Sequence, residues 1–220
     1  MVVIERFKHF KNNTENPYKK ISDFLENEKR RFYELGKKDG KTENEIRQGW
    51  VSYVGHNLET IFEEMIKDFC TNKGYKITKD KILKGKELSP ELSEVKRKIS
   101  VNFGEYMLLP DADIVIYTTD PIWVKAILSI KNSFRERYTE TPYWKLKLLQ
   151  DKITEDIKVF MITPDKDNEI SFKTSQRGPR KARIVMEYEL DGIYLAKEDF
   201  EGSDKVKSIE NLFDDLEKLL

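Results

Sequence analysis

Between residues 113 and 163, a chain otherwise dense in charge carries three short apolar runs: DIVIY at 113–117, WVKAILSIK at 123–131 and IKVFMIT at 157–163. Short runs rich in β-branched and aromatic residues, closed by turn signals, read as strands. Thr119-Asp120-Pro121 is such a turn, so the first two runs form a hairpin-like pair. Thr141-Pro142 reads as the N-cap and first residue of a helix, PYWKLKLLQDKI, that leads into the third, buried strand. Upstream, Thr42 and Glu45 have capping-box spacing. They open a helix whose apolar positions Trp50, Val54, Leu58, Ile61, Phe62, Met65 and Phe69 recur every three or four residues, with an end expected near Gly74.

Pro17 is placed at the first helical position of ISDFLENEKRRFYELGKK, closed by Gly36 and Gly40, and Ser89-Pro90 starts a shorter helix. Beyond the third strand, ARIVMEYELDGIYLAK suggests two strands turning at Asp191-Gly192, and SIENLFDDLEKLL an amphipathic helix. From residue 56 the order is helix, weak strand, strand, strand, helix, strand. It predicts an α/β (α+β) fold with a mixed central β-sheet flanked by helices. One domain spans 1–220: a helical extension over 1–41, the core over 42–163, then a basic loop, further strands and a C-terminal helix over 164–220.

Composition removes several function classes. With 36% charged residues and no long apolar run, no membrane span is expected, and the N-terminus lacks the apolar region of a signal peptide. A soluble cytoplasmic protein is the expectation. One cysteine, Cys70, and two histidines, His9 and His56, cannot build a disulfide framework or a Cys/His zinc site, so any metal must be held mainly by carboxylates. Cys70 and Trp144 read as packing residues, as does Tyr143. The 40 basic and 40 acidic residues cancel overall but are unevenly placed. KTSQRGPRKAR (173–183) has five basic residues and no acid, whereas residues 187–220 hold eleven acids and four bases. A basic stretch on a neutral chain can face a polyanion.

Within the central pair, Pro110-Asp111-Ala112-Asp113 is followed across the turn by Ser129-Ile130-Lys131. Side chains two apart on a strand share a face, so, if the first strand starts early enough to include Asp111 and Asp113, two carboxylates and an ammonium meet at one end of the hairpin. Hard oxygen ligands for Mg²⁺ beside a lysine suit phosphodiester hydrolysis.

These residues resemble the PD-(D/E)xK nuclease superfamily. The segment after Lys131, Asn132-Ser133-Phe134-Arg135-Glu136-Arg137-Tyr138, is similar to type II restriction endonucleases of the CCGG-recognising, BsaWI-like group. The resemblance spans roughly residues 55–163. It implies catalytic and metal-binding roles for Asp113 and Asp111, with Lys131 acting on water and phosphate. Ser129 stands where the superfamily most often has an acid. The missing carboxylate is then supplied by Glu59, on the upstream helix carrying Gly55-His56-Asn57-Leu58-Glu59, or by Glu140, with Glu59 preferred because Leu58 and Phe62 draw that stretch towards the sheet.

The same resemblance implies double-stranded DNA as substrate, Mg²⁺ as cofactor, a homodimer on a short palindromic G/C-containing site, and a cognate DNA methyltransferase. Arg135 and Glu136 are the expected base readers, since Arg pairs with guanine and an acid accepts from cytosine. Arg137, Arg177, Arg180 and Lys181 are expected on phosphates. Two further readings stand beside this one: a structure-selective repair or recombination nuclease of the same fold, and a DNA-binding module that has lost catalysis, for which Ser129 is the argument.

Overall fold

The computed structural model describes residues 3–134, 137–173 and 178–219. Two helices, α1 (Val3–Asn12) and α2 (Ile21–Lys38), precede the long α3 (Glu43–Asn72). The predicted capping box opens α3: the Glu45 amide donates to the Thr42 hydroxyl and the Thr42 amide to the Glu45 carboxylate, 2.8 Å away. Strand β1 (Lys76–Thr78), the single-turn α4 (Asp80–Leu83) and α5 (Pro90–Ile99) follow, α5 being capped by Ser89 as predicted. Next come the hairpin β2 (Val101–Phe103) and β3 (Tyr106–Leu108), then β4 (Ile114–Tyr117), β5 (Val124–Ile130), α6 (Glu140–Leu148) and β6 (Lys158–Thr163). The chain closes with α7 (Lys181–Glu189), β7 (Gly192–Leu195), β8 (Val206–Ser208) and α8 (Asn211–Leu219).

The central sheet has the order β1-β4-β5-β6-β7-β8. β4 pairs antiparallel with β1 and β5, and β5 through β8 are parallel, so the sheet is mixed. Alternation along the strands divides the core. Ile114, Ile116, Ala126, Leu128, Phe160 and Ile162 face a cluster built on α1, α2, α3 and α8. Val115, Ile127, Val159, Met161 and Ile193 face a second cluster with residues of α5, α6 and α7. Cover on both faces is why these strands read as almost unbroken apolar runs. Among the described residues no helix is long and apolar enough to cross a membrane.

Four local readings change. Pro17 lies in a turn, and α2 starts at Ile21. Gly36 does not end α2 but sits inside it at a close approach: a Cβ there would lie 2.6 Å from Cγ1 of Ile46 on α3. Helix α6 begins at Glu140, with Thr139 at the N-cap, and stops at Leu148. The first of the two strands expected in ARIVMEYELDGIYLAK is the helix α7. A strand would align Ile184, Met186, Tyr188 and Leu190. The chain instead buries Ala182, Met186 and Leu190, at helical spacing, and leaves Ile184 and Tyr188 exposed at 53% and 79%.

Candidate active site

The antiparallel register of β4 and β5 brings the segment before β4 next to the end of β5. Ile114 pairs with Leu128, so the same register carried past β4 sets Asp113 opposite Ser129 and Asp111 opposite Lys131, at one end of the sheet. The Ile130 amide donates to Oδ2 of Asp113 at 2.6 Å, tying the two strand ends together. The Lys131 amide donates to the Ile162 carbonyl, which carries the β5–β6 ladder one residue further and anchors the lysine backbone. Its Nζ donates to Oδ2 of Asp111 at 3.1 Å and lies 3.8 Å from Oδ2 of Asp113. Buried Pro110 precedes this cluster.

The electrostatics follow from partial burial. Burial raises the Asp113 pKa; Lys131 and the Ile130 amide counter this only in part, and Asp111 and Asp80 add repulsion. Burial acts to lower the pKa of Lys131, but the carboxylates of Asp113 and Asp111 outweigh it and the ammonium is held above its usual range. Glu59 on α3 enters the same field. Its pKa is raised by burial and then by Asp113, against the opposing influence of Lys79 and Lys131. Glu140, the first residue of α6, also acts on Lys131. Asp113 and Lys131 both act on Glu59, and Glu140 acts on Lys131, so both candidate acids share the electrostatic field of the site.

Ser129 is turned elsewhere. It is 1% exposed and its hydroxyl accepts from the Thr141 hydroxyl of α6 at 3.1 Å, so it packs helix against sheet. Among the described residues no three of His, Cys, Asp and Glu are grouped closely enough to hold a metal by themselves. Asp111 and Asp113 still offer hard oxygens beside a surface that substrate can reach. A small divalent cation is commonly held by one or two carboxylates together with water and substrate phosphate, and this donor set fits that mode.

The expected DNA contacts divide. Arg135, Glu136 and Arg177 lie outside the described residues. Arg137 is exposed, its amide donating to the Phe134 carbonyl at 2.9 Å. Arg180 is the N-cap residue of α7 and pairs with Glu169 at 2.6 Å, and exposed Lys181 opens that helix. A helix N-terminus favours acids, so helix stability does not account for basic residues there.

Two features were missed in the sequence. The Asp80 amide donates to the Ala112 carbonyl, which brings its carboxylate near enough to repel those of Asp113 and Glu59, and no local pattern signals this. Asp165 is fully buried. Its carboxylate accepts from the amides of Glu169, Ile170 and Ser171 and from the Ser171 hydroxyl, at 2.5–2.9 Å. Its turn-forming surroundings, Thr163-Pro164-Asp165-Lys166-Asp167-Asn168, were the available signal. The loop so built touches the segment after Lys131: the Lys166 amide donates to the Asn132 carbonyl and the Phe134 amide to Asp167.

The chain has relatives among known proteins. The chain is 44% identical over 200 residues to a Methanocaldococcus jannaschii protein assigned as a type II restriction enzyme, MjaVIP, covering 90% of this chain and 88% of that one. It is 51% identical over 187 residues to a Helicobacter pylori protein assigned in the same way, HpyAORF263P, covering 80% and 96%. The solved complex of the restriction endonuclease PspGI with substrate DNA shares the fold at a TM-score of 0.51 and 13% identity, over 90% of this chain and 74% of that one. Residues 91–215, more than half of the chain, match the family model described as BsaWI restriction endonuclease type 2. With that match added to the close relatives, the chain belongs to the BsaWI family of type II restriction endonucleases.

Proposed function

We propose that the chain is a Mg²⁺-dependent type II restriction endonuclease that hydrolyses phosphodiester bonds in double-stranded DNA at a short palindromic G/C-containing site, acting as a homodimer. The observation that carries this reading is the Lys131 ammonium set between Asp111 and Asp113 where two paired strands end. Asp113 and Asp111 would hold the cation, and Glu59 on α3 is the acid assigned to reach it through water. Mg²⁺ bound there supplies charge neutralisation at phosphorus and acidifies water. Lys131 holds a proton donor towards the phosphate oxygens and the attacking water. Its place is set in advance by the β5–β6 ladder, so little reorganisation accompanies the reaction.

Arg137, Arg180 and Lys181 are assigned to phosphates, and Arg135 with Glu136 to a G·C step. The relatives assigned as restriction enzymes support DNA as the substrate. A cognate methyltransferase is the partner activity that such cutting requires, because the same sites in host DNA must be protected.

Incubation with one sequenced plasmid tests the reading. With MgCl₂ discrete fragments are expected, whose sequenced ends share one palindromic site; with EDTA the plasmid stays intact. A smear, or cutting confined to branched DNA, would make this a structure-selective nuclease, and retained binding without cleavage a binding module.

A further inference from the structure

The hairpin of β2 and β3 stands apart from the central sheet as a separate two-stranded unit. β2 is anchored: Val101 is buried, and the Phe103 ring meets Trp144 of α6 edge-on, 6.3 Å between centroids. β3 is covered on neither face, with Tyr106, Met107 and Leu108 exposed at 69%, 57% and 47%. Successive strand residues point to opposite sides, so three exposed apolar residues in a row leave both sides of β3 in water. An isolated two-stranded hairpin is only marginally stable, and an exposed apolar element of this kind marks a contact surface.

Covalent continuity and charge identify what covers it. Leu108 is three residues before Asp111, no more than roughly 11 Å of extended chain. The DNA major groove is itself about 12 Å wide, so a duplex with a phosphate at Asp111 passes beside β3. Basic side chains flank the hairpin, whose own turn carries one exposed acid, Glu105. α5, which leads into β2, ends in Lys96, Arg97 and Lys98, of which Arg97 is paired with Glu94, and Nζ of Lys147 lies 5.2 Å from the Phe103 ring centroid and 5.8 Å from that of the exposed Tyr143. In a twofold contact between two copies each patch would meet itself, and these lysines would be set against one another. A polyanion meets them with opposite charge.

We infer that the β2–β3 hairpin is a DNA-contacting element, laying Tyr106, Met107 and Leu108 against the sugars and base edges beside the scissile phosphate while the neighbouring lysines take the flanking phosphates. Apolar side chains placed against or between base steps are an established way to hold or bend a duplex. The inference rests on the proposed reading of the Asp111 site, and the measurements keep the two apart.

Binding is titrated in EDTA, so that it does not depend on cleavage. The probe is a fluorescent duplex spanning the plasmid cut site, or one of mixed sequence if the plasmid is not cut. A triple Tyr106→Ser, Met107→Ser, Leu108→Ser variant should bind the duplex about tenfold or more weakly, equivalent to ~1.4 kcal/mol, with its melting temperature and particle mass unchanged. In the unsubstituted protein, saturating duplex should slow peroxide oxidation of Met107 several-fold. This second reading stands even if the variant fails to fold. Duplex affinity unaltered by the three substitutions, or Met107 oxidised equally fast with and without DNA, overturns the inference. So does a triple variant whose particle mass halves, since the patch would then be covered by a second copy. Weakened binding and Met107 protection without any plasmid cleavage would defeat the nuclease reading alone. Cleavage with an indifferent hairpin would defeat this inference alone.

Discussion

Lys131 and the carboxylates around it form a balance that single substitutions upset in readable ways. Lys131→Ala removes the ammonium that both Asp111 and Asp113 lean on. Cleavage should fall by about 10²–10³-fold or more, with duplex binding retained, as loss of one preorganised donor does elsewhere. Single-turnover cleavage beside a binding titration checks it, and normal cutting removes Lys131 from the mechanism. Asp113→Ala should be as inactive, and an active Asp113→Ala beside an inactive Asp111→Ala would reverse the assigned order of the pair. For the third acid, Glu59 feels Asp113 as well as Lys131, whereas Glu140 acts on Lys131. Glu59→Gln is therefore expected to cost more activity than Glu140→Gln, measured as initial rates at saturating Mg²⁺, and the opposite ranking places the completing acid on α6. The meeting of the Asp pair and the lysine was legible from the hairpin that joins their segments, although β4 starts only at Ile114 and both aspartates precede it. The burial of the Ser129 hydroxyl against Thr141 was not, because that depends on where α6 docks.

At the scale of elements, the loop after β6 and the start of α7 make the surface next to the site. Asp165→Ala would leave three backbone amides and a hydroxyl without the acceptor they converge on. A loss on the order of 3 kcal/mol is expected, read from urea unfolding. Asp165→Asn, which keeps an oxygen acceptor, should lose less, and equal losses would show that the acceptor is not what holds the loop. Replacing Arg180 and Lys181 by Ala should weaken binding to all duplexes alike and lower the salt slope by about one unit for each phosphate no longer neutralised. Arg135→Ala should instead cost about 1–3 kcal/mol at one base pair and leave the slope in place. Titrations at several salt concentrations on cognate and altered duplexes separate the two. Uniform weakening by Arg135→Ala would remove it from base readout. The mistaken strand over residues 182–190 belongs to this scale too: Ile184, Met186, Tyr188 and Leu190 alternate in sequence, but burial follows a period of four.

For the whole molecule, the proposed palindromic site, cut on both strands in one binding event, calls for two active sites related by a twofold axis. The expected particle has twice the 26.1 kDa mass of one chain and gives breaks in both strands in one binding event. Analytical ultracentrifugation with and without duplex, together with the ratio of nicked to linear plasmid at early times, checks this. A monomer that accumulates nicked circles would end the dimer assignment. The sheet, covered by α1, α2, α3 and α8 on one face and α5, α6 and α7 on the other, keeps both faces dry and leaves Asp113 and Lys131 at the strand ends, outside that cover.

What the sequence determined by itself was whatever depends on near neighbours. The capping box at Thr42 and the central strands with their turn follow from backbone periodicity and turn chemistry over a few residues, and the pairing of those strands then carries Lys131 to Asp111. The tertiary structure decided what depends on which face of the sheet an element covers. It made residues 181–189 a helix, drew Glu59 from α3 into the field of Asp113, bound Ser129 to α6, and set the loop that Asp165 organises against the segment after Lys131 through Lys166 and Asp167. Those outcomes rest on contacts between residues far apart along the chain, whose energies exceed the small local preferences that a sequence pattern reports.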